Sequence, residues 1–466
     1  MEHPPVATAA SGGRRARRGP RGPRTVDVDV VVIGAGQAGL STAYHLHRTG
    51  LVPVGTAGWE RARGTFVVLD AAPRPGGAWQ HRWRSLTMAD AHRVHDLPGM
   101  PLTVADPSEP AADAVPYYFA QYEEAFGLNV QRPVAVTRVE RAPRPDEDPR
   151  YLVTTRHVEH TDEVVVWSAR GVVNASGTWN KPFWPAYPGR AEFRGRQLHA
   201  RDFRSAADLS DGHVVVVGAG TSAVQLLLQI AQVTTTTWVT RRPPSWVDAE
   251  LTPELGRDAV ARVDDRVRAG LPPESVVSVT GLPLTPAYRD GIERGVLRAR
   301  PMFTRIVPDG VVWEQPGPTG PRAVDRGAGA PGGRGASDGA VLDAAGVRGG
   351  VPQGAGADGA DGAGVSGSDV DGAGATVPAG EVGAWTDGPS VVEARTILWA
   401  TGFRPSLDHL APLGLRGPGG GIVMDGTEVV SEPRLQLVGY GPSASTIGAN
   451  RAGREAARRL RRALGW

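Results

Sequence analysis

Residues 26–33, Val26-Asp27-Val28-Asp29-Val30-Val31-Val32-Ile33, alternate between apolar and acidic positions and then turn fully apolar. That pattern predicts a strand entering a parallel sheet covered on both faces. Gly34-Ala35-Gly36-Gln37-Ala38-Gly39 follows, and residues 40–49 show helical periodicity that Gly50 stops. Thr65-Phe66-Val67-Val68-Leu69-Asp70 closes a strand–helix–strand unit. Between 134 and 170, short β-branched runs separated by charged or proline-containing breaks predict an antiparallel meander. It ends in an apolar strand and the turn Asn174-Ala175-Ser176-Gly177.

The first pattern then returns, with Gly218 repeating Gly34. His213-Val214-Val215-Val216-Val217 precedes Gly218-Ala219-Gly220-Thr221-Ser222-Ala223, a helix over 224–232 and a strand over 234–240. Arg241-Arg242-Pro243-Pro244 closes it. Farther on, 391–402 predict a strand with a turn at its end, 435–439 a last strand, and Arg451 the start of a terminal helix. Two copies of strand, glycine-rich turn, helix and strand predict an α/β fold with two Rossmann-like dinucleotide-binding domains and a small antiparallel β meander.

Composition changes this picture in one stretch. Of 62 glycines, 22 fall in the 73 residues 316–388, where no apolar periodicity survives. That stretch predicts a disordered insertion in a surface loop, tolerated because loop-closure entropy grows slowly with length. Residues 1–24 hold six arginines and one acid, which predicts a disordered Arg-rich tail. The tail accounts for the basic balance: the whole chain has a formal charge of +2, so the body without the tail is acidic. Phosphate-backbone binding by the folded part gains no support, and no nucleic-acid partner is expected.

Cysteine is absent. That excludes disulfides, thiolate metal sites and dithiol redox chemistry within this chain, and no metal is expected. No apolar run is long enough to span a membrane, and the Arg-rich start lacks the apolar stretch of a secretory signal. The expectation is a cytoplasmic protein. One lysine, Lys181, beside 50 arginines points to a GC-rich, bacterial genome.

The glycine turns carry the chemistry. In the first, Gly34 serves the tight turn, Gly36 close approach of a pyrophosphate, and Gly39 helix-on-strand packing, with Gln37 and Ala38 opening the helix toward the phosphates. Asp70, ending the next strand, is placed to accept hydrogen bonds from ribose hydroxyls; its late position fits a loop insertion at 51–64. The alternative is a tight turn with no dinucleotide. The second turn keeps Gly218 and Gly220, with Thr221, Ser222 and Ala223 completing it. No acid follows; Arg241 and Arg242 stand at the ribose 2′ position, where a guanidinium pairs with the 2′-phosphate of NADP. The alternative is a solvated surface pair. The expected cofactors are FAD at the first turn and NADP at the second.

A family resemblance rests on further motifs. Gly76-Gly77-Ala78-Trp79 after Asp70, Phe193-Arg194-Gly195-Arg196-Gln197-Leu198-His199-Ala200-Arg201-Asp202-Phe203 and Ala400-Thr401-Gly402-Phe403 resemble the corresponding segments of class B flavin-dependent monooxygenases. The eleven-residue segment matches that group's FxGxxxHxxxF pattern at each specified position. Phe203-Arg204 is nearer the N- and S-oxygenating branch than the Baeyer–Villiger one. The resemblance implies FAD contacts at Gly77, Ala78, Trp79 and Gly402, and an interdomain structural role for His199. It also implies a helix N-terminus near Arg451 facing the flavin ring. Aligning Ser85-Leu86-Thr87-Met88 puts Ala89 where that branch has an asparagine beside the flavin, which leaves Asp90 as the candidate catalytic residue.

His81, His92 and His95 near the flavin edge either carry protons or, like the other scattered histidines, are surface or packing residues, and Trp79, Trp179 and Trp184 either wall the flavin pocket or pack the core. The implied domains are 25–203 and 396–466 for FAD, with 204–395 inserted for NADP. The implied activity is NADPH-dependent insertion of one oxygen atom of O2 into a small organic substrate through an oxygenated flavin C4a adduct. A reductase or oxidase without oxygenation, and a non-catalytic FAD/NADP sensor, remain as alternatives.

Overall fold

The computed structural model describes residues 24–91, 94–143, 148–247, 253–273, 281–314 and 384–466. The predicted tail before residue 24, His92 and residues 316–383 of the predicted insertion lie outside them. The described residues up to Trp313 and from 384 onward belong to one compact unit, built on one mixed and one parallel sheet.

The first sheet centres on β1 (Arg24–Ile33), which runs parallel to β3 (Thr65–Leu69) on one side and β6 (Val164–Asn174) on the other. Val30, Val31 and Val32 are fully buried, as the continuous apolar run predicts. A short strand, β2 (Val52–Pro53), extends the β3 edge, so the expected 51–64 insertion is partly sheet. β4 (Val134–Arg141) and β5 (Tyr151–His157) form the meander. β6 serves two roles: its first half pairs antiparallel with β5, while its last residues pair parallel with β19 (Glu432–Leu437). β17 (Met424–Asp425) and β18 (Glu428–Val429) continue that edge antiparallel.

α1 (Gln37–Arg48) and the terminal helix α6 (Thr446–Leu464) cross in close contact. A Cβ on Gly453 would meet Ser41 Oγ at 2.7 Å and Thr42 N at 2.8 Å, and Ala449, Ala452, Ala456 and Ala457 line the same buried face. Small residues at i, i+3 and i+4 let the backbones approach. α2 (Ala111–Ala125), which no sequence pattern announced, buries Val115, Tyr118, Phe119 and Tyr122 in the same core.

The second sheet runs β12 (Ala299–Pro301), β9 (Thr236–Thr240), β8 (Val214–Val217), β16 (Thr396–Trp399), β7 (Arg196–His199), all parallel where paired. α3 (Thr221–Ile230) follows β8. β7 and β16 lie on the FAD side of the expected boundaries at 203 and 396, yet they hydrogen-bond into this second sheet. The expected single strand over 391–402 is two, β15 (Val391–Glu393) and β16, because β15 joins β13 (Arg305–Val307) and β14 (Gly310–Val312) in a separate antiparallel sheet. β10 (Trp246–Val247) pairs with β11 (Leu282–Pro283); α4 (Pro253–Arg268) and α5 (Pro286–Glu293) complete the elements.

Residues 384–388, placed in the disordered insertion by composition, are largely exposed but tied to the second sheet by hydrogen bonds. Trp385 Nε1 donates to Thr240 Oγ1 at 3.0 Å, and Thr386 N donates to Ala299 O at 2.8 Å. Glycine and aspartate content hid one anchoring indole.

Candidate functional site: two glycine turns and the seam between them

The two turns are built alike. Gly34 N donates to Leu69 O (2.7 Å) and Ala175 N to Ile33 O (2.8 Å); Gly218 N donates to Val239 O (2.9 Å) and Ala400 N to Val217 O (2.8 Å). A Cβ on Gly34, at φ +99°, would sit 2.5 Å from Ala175 O, and one on Gly218, at φ +142°, 2.2 Å from Ala400 O. Each neighbouring strand therefore ends in the same way, Ala175-Ser176-Gly177 beside the first turn and Ala400-Thr401-Gly402 beside the second. This repeat was readable in the sequence and marks the two crossover segments.

Within each turn the glycines divide into two kinds. Gly39 needs hydrogen at Cα because a Cβ would lie 1.8 Å from Gly34 O. Gly36 has ordinary backbone angles, φ −82° and ψ −169°, and its Cβ would meet only Gly77 Cα at 4.0 Å. Gly220 has φ −94° and ψ 170°, and its Cβ would meet nothing within 4 Å. No neighbour within the protein excludes a side chain at either position. Both glycines cap helices, α1 and α3, where no side chain accepts from the first N–H groups, whereas Thr285 and Ser445 cap α5 and α6. Bare backbone and open helix N-termini fit dinucleotide pyrophosphates.

Around the first turn, Gly76 and Gly77 both have positive φ, +123° and +52°, and Gly77 packs its backbone on Gly36, which brings Ala78 and Trp79 to the turn. Gln37 Nε2 donates to His95 O (3.1 Å) and Asn450 Oδ1 (3.0 Å), and its buried Oε1 has no partner. An orphaned acceptor at the first residue of α1 also fits a bound polar ligand. Asp70 ends β3, nearly buried; Arg132 Nε approaches its Oδ2 at 3.3 Å while also holding Glu123 at 2.6 Å. Burial raises the Asp70 pKa, and Arg132 opposes that shift. α6 opens at Thr446, capped by Ser445, so Arg451 stands in its second turn and is exposed. The expected helix start was five residues late because Ser445-Thr446-Ile447-Gly448 reads as loop.

Around the second turn, Thr221 and Ser222 are half-buried, Ala223 is buried, and Arg241 and Arg242 are exposed just beyond β9. No ion pair to the described residues engages either guanidinium. Asp90 is exposed: Thr87 Oγ1 donates to its carboxylate (2.7 Å) and Gln225 of α3 to its backbone oxygen (3.2 Å). Ser85 Oγ donates to Gln229 Oε1 (2.7 Å), so segment 85–90 is fastened along α3.

His199 is fully buried. Its Nδ1 accepts from Arg201 N (3.1 Å), which puts the proton on Nε2, and that donates to Gly402 O (3.0 Å). Burial lowers its pKa. The ring thus ties β7 to the Ala-Thr-Gly-Phe crossover. Phe403 lies against it (5.0 Å between ring centroids), Trp179 stacks on Phe403 (5.1 Å), and His81 stacks on Trp179 (5.7 Å). Trp184 packs on His199 instead (5.7 Å). Trp79 touches both cores. Burial, with Arg201, Arg204 and Arg74, lowers the His81 pKa. Away from here, His157, Glu159 and His160 cluster within 4.8 Å, but His157 Nδ1 already accepts from both following N–H groups.

A family model described as pyridine nucleotide-disulphide oxidoreductase matches residues 31–269, just over half of the chain. A solved flavin-containing monooxygenase from Stenotrophomonas maltophilia is 28% identical, with 94% of this chain and 99% of that one aligned and a TM-score of 0.63. Among curated relatives, an uncharacterized oxidoreductase CzcO of Bacillus velezensis is 26% identical over 204 residues, 44% of this chain and 52% of that protein. A senecionine N-oxygenase of Tyria jacobaeae is 27% identical over 230 residues, 44% and 45% of the two chains. The chain spans about half the length of these curated relatives. No described helix is long and apolar enough to cross a membrane. The chain belongs to the pyridine nucleotide-disulphide oxidoreductase family and resembles flavin-dependent monooxygenases, a class that uses FAD and NADPH.

Proposed function

We propose that this chain is an NADPH-dependent flavoprotein monooxygenase that inserts one atom of O2 into a small organic substrate, at nitrogen or sulfur or by Baeyer–Villiger chemistry, in the cytoplasm. The observation that carries the reading is the pair of unforced glycines, Gly36 and Gly220, at two helix N-termini in one chain. Two dinucleotide sites that share a seam suit electron transfer between cofactors. The similarity to a flavin-containing monooxygenase along 94% of the chain supports oxygenation over other uses. Disulphide exchange, which the family is named for, needs thiols that this chain lacks.

When bound, NADPH supplies hydride and FAD accepts it and activates oxygen. In the proposed division, Gly34, Gly36, Gln37, Ala38, Gly39, Asp70, Gly77, Ala78, Trp79 and Gly402 hold FAD, with Arg451 on the helix beside it. Gly218, Gly220, Thr221, Ser222, Ala223, Arg241 and Arg242 hold NADP. The helix N-termini place N–H groups on the phosphates, and Arg241 and Arg242 select the 2′-phosphate. The indoles of Trp79 and Trp179 exclude water along the seam, and Asp90 is the proposed proton-handling group.

The test is rapid mixing of anaerobically NADPH-reduced holoprotein with oxygen. A transient absorbance distinct from oxidised and reduced flavin is the expected result. Direct return to oxidised flavin with stoichiometric hydrogen peroxide supports the reductase or oxidase reading, which Ala89 in place of the branch's asparagine favours.

A further inference from the structure

Arg82 is the C-cap of the short 3₁₀ helix Gly77–His81. Its guanidinium carbon lies 5.0 Å from the Trp179 ring centre, 5.8 Å from Trp79 and 6.0 Å from Trp83. Burial lowers its pKa, and its Nε is buried without a partner. No hydrogen bond or ion pair links the side chain to the described residues. Arg132, by contrast, holds two carboxylates. Indole faces stabilise a cation placed over them. They accept nothing from the guanidinium's N–H edge, which carries five donors in one plane.

Arg82 lines an open cleft of about 350 Å³ together with Arg74, Gln80, Arg84, Asp113 and Pro116. The one acid in it, Asp113, is taken by Arg84 in a two-pronged pair at 3.0 and 2.6 Å. Gln80 points its amide at Arg74 O and Gly77 O. Among the described residues, no carboxylate pairs with Arg74 or Arg82. Arg201 lies over Trp179 as well, at 5.9 Å, so the field on this side of the indole is positive.

We propose that Arg82 and Arg74 form a binding site for the oxyanion, carboxylate or phosphate, of a small molecule lodged in this cleft. A planar fork with free in-plane donors matches two oxygens of one such group. The Gly220 turn and Arg241 and Arg242 already provide for the cofactor phosphates, which favours an acid group of the organic substrate as the source. The assignment to the substrate rests on the proposed cofactor sites; the anion site itself does not, because anion binding is measurable without turnover.

The experiment titrates flavin-bound protein with inorganic phosphate and with acetate at constant ionic strength, read by calorimetry. Saturable binding is expected in the native chain, weakened roughly tenfold or more in Arg82→Gln and in Arg74→Gln, with the flavin spectrum unchanged. Arg74 is exposed, so its variant tests the cleft even if Arg82→Gln fails to fold, and Arg82→Lys then reports on the fork. Unchanged affinity for 2′,5′-ADP in these variants assigns the oxyanion to the substrate; a parallel loss assigns it to the cofactor. No saturable binding in the native chain, or equal binding in native chain and variants, overturns the proposal.

Discussion

At the scale of single residues, the glycines separate into those the fold needs and those it leaves bare. Gly39→Ala drives a Cβ into Gly34 O at 1.8 Å, so that variant is expected to lose several kcal/mol of stability. Gly36→Ala and Gly220→Ala meet no such barrier and are expected to keep the native unfolding free energy within about 0.5 kcal/mol. They should instead lose ligand: Gly36→Ala by a lower flavin-to-protein absorbance ratio, Gly220→Ala by roughly tenfold weaker NADPH binding. Native cofactor affinity in both would remove the argument for two dinucleotide sites. A second residue-scale outcome concerns pH. His409 is buried, its Nε2 bonded to Asn174 Oδ1 at 2.8 Å, and burial lowers its pKa to about 4. Above pH ~6.5 it is neutral in folded and unfolded chains alike, and its stability contribution is complete. As pH falls from ~6.5 toward 4 only the unfolded chain takes the proton, so up to about 3 kcal/mol is lost. Chemical denaturation at pH 7 and pH 4.5 should show a smaller acid loss in His409→Gln, and an equal loss in both proteins would refute the assignment.

At the scale of elements, the α1–α6 crossing connects packing to the first glycine turn. Asn450, one turn before Gly453, holds Gln37 at the head of α1, so a helix pushed outward at Gly453 also moves that contact. Gly453→Val should destabilise by about 1–3 kcal/mol and release flavin faster on dilution. Lost stability with flavin held as tightly as before would show that the crossing does not govern the turn. The sequence made the elements flanking both turns legible, since an apolar run, glycines and a 3.6-residue period agree over both copies. It hid α2 because Pro116 and three tyrosines break the usual helical signature. It placed the start of α6 at Arg451 because the serine cap and Gly448 imitate a loop. Arg82 was missed for another reason: its significance lies in the partner that it lacks, and a partner's absence has no signature in sequence.

At the scale of the molecule, β14 and β15 explain how a glycine-rich stretch is accommodated. Val312 pairs with Val391 and Gly310 with Glu393, and Trp313 N donates to Ser390 O at 2.7 Å. The chain thus leaves and re-enters at neighbouring points of one antiparallel ladder. Both large sheets are left intact at that point, since β16 begins only after β15 has closed the ladder. Trp385 and Thr386 return along β9 and β12 before the ladder resumes, so a shortened chain must retain them. Replacing residues 315–383 with a Gly/Ser linker of about ten residues shortens the closed loop by nearly three doublings. At about 0.6 kcal/mol for each doubling, stability should stay level or rise by up to roughly 2 kcal/mol. Flavin content and NADPH affinity should match the full chain, because no residue of either glycine turn falls within the exchanged stretch. A shortened protein that folds but loses NADPH affinity would show that 315–383 contributes to the second site.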